Sequence, residues 1–255
     1  MSNRTSAAAK QKRTEISTVV PFNPLEKRVL GASIAEVLLT TPIYPLSQAF
    51  PLRGPGVYAI YYRGTRFAPY AALAQRNAGG KAVWPIYVGQ DLPSGGRRGI
   101  ETDNDESSLR NRLQKHGRSI KAAASDFDIE DFCYRALVMD DAFIRLAETS
   151  LLVLYKPIWN NYVDGFGNNA PGSGREASKR SRWDTLHGGR SQAEVHGDRG
   201  ETREQLMAAI AQELSSTNFD VPDTLITAFG QTISNAPEHM GDLLTDVANS
   251  PPAQT

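Results

Sequence analysis

Two short runs of β-branched and aromatic residues constrain the fold of this chain more than any other feature. Residues 57–62 follow the turn sequence Gly-Pro-Gly at 54–56, and residues 85–88 are followed by a glycine. β-branched and aromatic side chains favour strands, and glycine and proline mark where strands end. The pattern therefore predicts two strands, and neighbouring strands would bring Tyr58 of the first close to Tyr87 of the second.

Apolar spacing predicts two helices outside these strands. Residues 25–39 repeat apolar side chains at helical spacing and stop before the helix breaker Pro42. A second helix is predicted to begin at Ser107 or Ser108, either of which can cap its first turn, and to end at Gly117.

The order of elements is completed by a third strand and a third helix. Residues 132–139 alternate and are rich in strand-forming side chains. Asp140 or Asp141 can then cap a helix that runs to Tyr155 and stops before Pro157. Counted from residue 57, the predicted order is β-β-α-β-α.

Three segments rich in glycine and proline interrupt these elements. About twenty residues separate the first two strands, which is longer than a hairpin needs, so this insertion is a candidate functional loop. Residues 91–106 form a second predicted insertion. The glycine-rich stretch 164–174 cannot be a regular element.

Charge is distributed unevenly along the chain, although the net charge is zero with 28 basic and 28 acidic residues. From Glu194 onward, ten acidic residues accompany only Arg199 and Arg203, a charge of −8, so residues 1–193 carry +8. A basic body is typical of polyanion binding, and an ordinary solvated surface is the alternative.

The same charges and the helical spacing suggest three regions. We expect a disordered basic arm at residues 1–20, a main domain at 21–195 and an acidic helical extension at 196–255. A chain of 255 residues buries a core without disulfides, so Cys133 is expected to be a small core residue. No apolar stretch of about 18 residues occurs, so we expect a soluble cytoplasmic protein without a membrane partner.

Glu148 is the first candidate for chemistry, because it lies within a helix that is apolar on most sides. It shares a face with Ile144, Leu151 and Tyr155. A carboxylate in such surroundings is costly unless it is paired or binds a metal ion. An ion pair with Arg145 is the alternative.

Arg112 and His116 are the second candidates, since four residues separate them on a predicted helix. This spacing places a fixed cation and a titratable imidazole on one face, where both can act on one phosphate. A hydrated helix surface is the alternative for these two residues. For the two strand tyrosines, the alternative is core or cross-strand packing.

Taken together, the order and spacing of these residues resemble the GIY-YIG nuclease superfamily. The two signature tripeptides correspond to residues 56–58 (GVY) and 87–89 (YVG), with valine in place of isoleucine in both. The resemblance implies an α+β fold with a small three-stranded antiparallel sheet flanked by helices. It also identifies six site residues: Tyr58, Tyr87, Arg112, His116, Glu148 and Asn160.

Further motifs resemble the type II restriction endonucleases of this superfamily. They are residues 85–89 (PIYVG), 155–160 (YKPIWN), 163–168 (VDGFGN) and 171–175 (PGSGR), followed by Trp183-Asp184. The resemblance covers roughly residues 45–195. It implies a homodimer that cuts double-stranded DNA at the palindrome CCGCGG, with Mg²⁺ as cofactor and a companion DNA methyltransferase that need not bind.

The resemblance also implies roles for the site residues. Glu148 would hold Mg²⁺, Arg112 would contact the scissile phosphate, and Tyr58 or His116 would be the general base. As a base, Tyr58 needs its pKa lowered by Arg112, the metal or His116. Tyr87 would orient the water or phosphate, and Asn160 would position the metal shell or hydrogen-bond Tyr58.

DNA contacts are expected from the insertions and from a basic stretch that includes Trp183, because arginine reads guanine well and an aromatic ring can stack on bases. A solvated turn with one buried tryptophan is the alternative for that stretch. The candidate DNA-binding residues are Arg97, Arg98, Arg110, Lys115, Arg175, Lys179 and Arg180.

Two other functions remain compatible with these residues. A homing or repair endonuclease usually carries a separate DNA-binding domain, and the acidic residues after 200 do not suit one. A noncatalytic DNA-binding domain would retain the fold, but would be expected to have lost one of the six positions.

Overall fold

An antiparallel four-stranded sheet organises the part of the chain that the computed structural model describes, namely residues 27–48, 52, 54–92, 108–167, 179–194 and 196–220. The strands are β1 (Tyr44–Pro45), β2 (Gly56–Tyr62), β3 (Tyr87–Asp91) and β4 (Phe132–Val138). Their order across the sheet is β1-β4-β2-β3. β2 is buried along its whole length, as expected for the strand between two neighbours.

Helices surround this sheet within the described ranges. They are α1 (Lys27–Thr40), α2 (Ala71–Arg76), α3 (Ser108–Ala122), α4 (Asp141–Tyr155), α5 (Ile158–Asn161), α6 (Arg182–Leu186) and α7 (Arg203–Ser216). The fold is therefore α+β, as predicted. None of these helices is long and apolar enough to cross a membrane.

The sheet differs from the predicted three strands in two ways. β1 is a fourth strand of only two residues, paired through Tyr44 opposite Tyr134 and Pro45 opposite Cys133. Two residues are too few to show a period in sequence. β3 also continues past Gly89, so that Asp91 lies opposite Gly56 on β2.

The predicted helix ends are right for α4 and wrong for α3. The Asp140 carboxylate accepts a hydrogen bond from the Ala142 amide at the start of α4, and α4 ends immediately before Lys156 and Pro157. α3 passes through Gly117 and continues to Ala122 because tertiary packing buries Ile120 completely. It begins at Ser108, and Ser107 lies outside the described residues.

The insertion between β2 and β3 is folded, in contrast to the expected loop. It contains a 3-10 turn at Ala68–Tyr70, then α2. The buried Asn77 amide donates to the carbonyls of Tyr62 and Trp84, at 3.1 and 2.8 Å, and accepts from the Val83 and Trp84 amides. These bonds replace ladder pairing and fix the segment against the sheet.

The core extends beyond the region expected to end at residue 195. Leu206, Ile210 and Leu214 of α7 are buried in the same core as the sheet. α7 begins with a capping box between Thr202 and Gln205. The rest of the expected acidic extension, and the basic arm at 1–20, lie outside the described residues.

A buried chain of hydrogen bonds ties α7 to the core. The Trp159 indole donates to the Tyr70 hydroxyl at 2.8 Å, and that hydroxyl lies 3.0 Å from Nε2 of His187. Nδ1 of His187 lies 2.8 Å from Asp126, which also accepts from Arg203. Because the Asp126 carboxylate only accepts, Nδ1 of the neutral imidazole carries the proton, so Nε2 accepts the hydrogen bond from the Tyr70 hydroxyl.

Burial of His187 within these hydrogen bonds makes the stability of the folded protein depend on pH. Burial lowers the pKa of His187 from 6.5 to about 4, so between these values the unfolded chain binds more protons than the folded one. Stability is therefore expected to fall, by roughly 2–3 kcal/mol from this residue, as pH drops from about 6.5 to about 4. Urea unfolding at several pH values measures the loss.

His187→Gln provides the matched comparison, since an amide does not titrate in this range. The stability difference between the wild-type protein and this variant should shrink as pH falls. A difference that stays constant from pH 7 to pH 4.5 would contradict the assignment.

Candidate active site

The register between β2 and β3 brings the two signature tyrosines onto one face of the sheet. Tyr58 lies opposite Gly89, and Tyr87 is two residues before that glycine, so the three positions share a face. The two tyrosine rings are 6.3 Å apart. A Cβ at position 89 would collide with the Tyr58 ring and hydroxyl, so only glycine lets that ring cross the neighbouring strand.

α3 brings His116 onto the tyrosines. Its Nε2 lies 2.6 Å from the Tyr58 hydroxyl oxygen, and the residue is 2% exposed. The imidazole also packs against the Tyr87 ring at 5.0 Å and against Phe166 at 4.7 Å. Helical spacing predicted the face of α3 on which His116 lies, and the packing identifies its partner.

Burial sets the protonation of this pair. It raises the pKa of Tyr58 well above 10, and the effect of Arg112 in the opposite direction is smaller. Arg112 alone therefore does not lower the Tyr58 pKa below its ordinary value, as a general base would need. Burial, with Arg112, Lys115 and Arg190, lowers the pKa of His116 to about 3. At neutral pH a protonated phenol thus faces a neutral imidazole.

Arg112 is anchored by a carboxylate that the sequence interpretation did not single out. Its Nε lies 3.3 Å from Oδ1 of Asp91, whose side chain is 10% exposed against 43% for Arg112. Within the described residues Arg112 makes no other hydrogen bond, so its two terminal nitrogens remain available to an anion. Asp91 would have been found had β3 been predicted past Gly89, because alternation places it on the face of Tyr87.

Glu148 lies half-buried on α4, near the same site. Burial raises its pKa, and its charge acts on both Tyr58 and Tyr87. Arg145 is exposed, and no ion pair joins the two residues in the described part of the chain. The alternative explanation of Glu148, an ion pair with Arg145, is therefore not observed.

The donors at this site fit a hard divalent cation that takes most of its ligands from elsewhere. The described residues contain no group of three or more histidine, cysteine, aspartate or glutamate side chains that could form a metal cage. Mg²⁺, however, commonly keeps several waters and uses one or two carboxylates together with substrate phosphates. The Glu148 carboxylate, which feels the Arg112 and Arg145 charges but forms no ion pair among the described residues, meets that requirement.

Asn160 supports the edge strand rather than Tyr58. Its side-chain oxygen accepts from the Val88 amide, and its nitrogen donates to the Val88 carbonyl, both at 2.8 Å. These two backbone groups of Val88 lie on the side of β3 that faces away from β2. Asn160 therefore fixes the strand that carries Tyr87, and the expected hydrogen bond to Tyr58 is not formed.

The candidate DNA-binding residues are only partly brought to this site. Arg110 is exposed and Lys115 half-buried on α3 beside Arg112, whereas Arg97, Arg98 and Arg175 lie outside the described residues. Lys179 is exposed. Arg180 donates to the Ala193 carbonyl and lies 3.9 Å from Asp198.

Trp183 is fully buried, so it cannot stack on exposed bases as considered for the basic stretch. It packs beneath Arg190, whose guanidinium lies 4.3 Å from the ring centre. Neighbouring Arg182 is paired with Glu201 at 2.9 Å. The buried tryptophan of the alternative interpretation is observed, but it lies in the short helix α6 rather than in a turn.

Comparison with known proteins agrees with this geometry. No curated protein matches the chain. Residues 50–214, more than half of the chain, match the family model described as the Eco29kI GIY-YIG domain. With both tyrosines, Arg112, His116 and Glu148 grouped around one face of an antiparallel sheet, the chain belongs to this family of GIY-YIG restriction-type nucleases.

Proposed function

We propose that the protein is a type II restriction endonuclease that makes Mg²⁺-dependent double-strand cuts in DNA at a fixed palindrome, CCGCGG. The observation that carries this proposal is the 2.6 Å contact between Tyr58 and His116, buried beside Arg112. A proton-transfer pair next to a fixed cation suits the hydrolysis of a phosphodiester.

Hydrolysis requires positive charge on the phosphoryl oxygens as they become more negative. Arg112 supplies it through the terminal nitrogens that Asp91 leaves available, and a guanidinium matches two phosphate oxygens at once. Glu148 would hold Mg²⁺, which would supply further positive charge to the reacting phosphate. Tyr87 lies beside Tyr58 and orients the attacking water or the phosphate.

The attacking water must lose a proton while burial keeps Tyr58 protonated. The Tyr58 oxygen accepts this proton as its own passes to Nε2 of His116, so no phenolate has to be stored. The new bond joins the water oxygen to phosphorus, the phosphorus bond to the leaving oxygen breaks with its electron pair remaining on that oxygen, and the leaving oxygen takes a proton from solvent. A bound phosphate also offsets the Arg112 and Lys115 charges that lower the His116 pKa, which makes the imidazole a better proton acceptor.

Asp91 has a predicted role in holding Arg112. Asp91→Ala should free the guanidinium and lower the single-turnover cleavage rate by about 10- to 100-fold. A displacement of a catalytic group by about 1 Å is enough to lower a rate by this factor. Asp91→Asn keeps an oxygen that can accept from Nε, so it should recover most of the rate. Quench-flow cleavage measures both variants. An unchanged rate in Asp91→Ala would show that Asp91 is not needed to hold Arg112.

Digestion of plasmid DNA with and without Mg²⁺, followed by mapping of the ends, tests the proposed function. Cuts at one palindrome that require Mg²⁺ support it. Scattered or structure-dependent cuts would indicate a homing or repair nuclease instead. No cleavage, together with retained DNA binding, would indicate a noncatalytic domain.

A palindromic site suggests a two-fold symmetric enzyme, so we propose a homodimer with one active site for each strand. Sedimentation of the protein with and without a duplex carrying CCGCGG measures the assembly. If the nuclease acts in the cytoplasm, the host cell would need a companion methyltransferase to protect the same sequence. That enzyme need not bind this one.

A further inference from the structure

A turn at residues 164–167 packs directly on the proton-transfer pair. Phe166 stacks on the His116 imidazole, with ring centres 4.7 Å apart and planes 18° apart. It also meets the Tyr87 ring edge-on at 5.0 Å. A Cβ at Gly167 would collide with the Tyr87 hydroxyl. The turn therefore lies close against both aromatic partners of Tyr58.

A buried ion pair holds this turn in place. Nε of Arg190 lies 2.6 Å from Oδ1 of Asp184, and the residues are 6% and 8% exposed. The two terminal nitrogens of Arg190 donate to the carbonyls of Phe166, at 3.2 Å, and Gly165, at 3.1 Å. We call Asp184 and Arg190 the clamp.

Stability alone does not account for the clamp. Removing two charges from water costs several kcal/mol per ion, and apolar side chains of similar volume often serve a core equally well. The clamp fixes the orientation of the turn, because the planar guanidinium binds two successive carbonyls of the turn. The side chain between those carbonyls is Phe166, the one stacked on His116.

Building on the function proposed above, we propose that Phe166 is a positioning residue for the nuclease reaction: held by the clamp, it fixes the imidazole plane of His116 so that Nε2 faces the Tyr58 hydroxyl, and it shields the imidazole from water. Phe166 itself touches no reacting atom. Its effect on cleavage passes entirely through His116.

The groups around His116 determine how loss of Phe166 would change the His116 pKa. The groups that face or act on the imidazole are Tyr58 from β2, Tyr87 from β3, Arg112 and Lys115 from α3, and Arg190 from the segment after α6. Glu148 of α4 acts on both tyrosines. Burial is the largest cause of the low His116 pKa, so admitting water raises that pKa towards 6.5.

Phe166→Leu in the full-length protein tests the proposal, because it keeps apolar volume but removes the flat ring. The single-turnover cleavage rate with Mg²⁺ should fall about 10- to 100-fold while DNA affinity changes by less than about threefold. The loss of rate on the acid side should also move to higher pH than in the wild-type protein, because a protonated His116 can no longer accept the Tyr58 proton. Phe166→Tyr retains the ring and should retain the wild-type pH profile.

Nuclear magnetic resonance titration of the His116 ring gives a readout that does not depend on cleavage. The pKa of His116 should rise by at least one unit in Phe166→Leu and remain low in Phe166→Tyr. If Phe166→Leu does not fold, Arg190→Lys loosens the turn while keeping the charge, and it should raise the His116 pKa in the same direction.

The outcomes separate this inference from the proposed function. A wild-type protein that cleaves no DNA contradicts the proposed function, whatever the titration shows. A wild-type protein that cleaves, with a Phe166→Leu variant whose pH profile and His116 titration are unchanged, overturns the positioning role alone. A reduced rate with an unchanged pH profile would also overturn it, because it indicates a merely structural role.

Discussion

Glu148→Gln should abolish Mg²⁺-dependent cleavage, with a loss of at least about 10³-fold in the single-turnover rate. The amide keeps the size of the carboxylate and removes the charge that would hold the cation. DNA binding should persist, because Arg112 and the other cations of α3 are untouched. Quench-flow cleavage and a mobility-shift assay without Mg²⁺ measure the two effects separately.

The stability of this variant distinguishes lost chemistry from lost structure. The half-buried Glu148 carboxylate has no ion-pair partner among the described residues, and burial raises its pKa. Removing its charge should therefore leave the free energy of unfolding unchanged or raise it by about 1 kcal/mol.

Asp141→Asn is the matched control, because Asp141 is an exposed carboxylate in the first turn of the same helix. It should cleave at close to the wild-type rate. Retained Mg²⁺-dependent cleavage in Glu148→Gln would disprove the assignment of Glu148 as the metal ligand.

Tyr58→Phe should lower the single-turnover rate by about 10²- to 10⁴-fold, the range found for loss of a general acid or base. The ring remains to fill the space over Gly89, but neither the acceptor for the water proton nor the partner of His116 is present. DNA affinity should change little, because the phosphate contact comes from Arg112. Rates at saturating enzyme isolate this effect from binding.

Tyr61→Phe is the control for Tyr58→Phe. Tyr61 is also fully buried on β2, but three residues further along and therefore on the opposite face of the sheet. The cleavage rate of Tyr61→Phe should stay within about threefold of the wild-type rate, since no general acid or base is lost. If Tyr58→Phe cleaved as fast as Tyr61→Phe, the proton path through Tyr58 would be incorrect, and His116 would have to act on water directly.

Local patterns explain which parts of the fold were predictable. The β-branched and aromatic run of β2 and the cap and stop of α4 depend on neighbouring residues, and the structure confirms them. The end predicted at Gly117 was wrong because a glycine costs a helix only about 1 kcal/mol. Burial of Ile120, which lies beyond it on α3, offsets a cost of this size.

The active site likewise combines residues that the sequence predicted with contacts that depend on packing. Tyr58, Tyr87 and His116 were identified from motifs, and their packing on one face is now seen. Asp91 was not singled out, because the predicted strand stopped two residues before it. Asn160 was identified, but its contact with Val88 depends on how α5 packs against the sheet edge.

The packing of Phe166, Asp184 and Arg190 illustrates what sequence reasoning could not find. The turn that contains Phe166 has no period, and its contact with His116 joins residues that are fifty positions apart. Asp184 was noted only as part of a family motif and Arg190 was not singled out, because a positive side chain looks the same in sequence whether it faces a phosphate or a buried carboxylate.

The sequence by itself determined the order of β2, β3, α3, β4 and α4, though not the presence of α2, together with the two signature tyrosines and the unusual position of Glu148, because turn residues, period and local composition act over a few neighbouring residues. Only the tertiary structure decided the protonation of Tyr58 and His116, the anchoring of Arg112 by Asp91 and the stacking of Phe166. Each of these depends on burial and on distances between residues far apart in the chain, and burial is the largest cause of both pKa shifts.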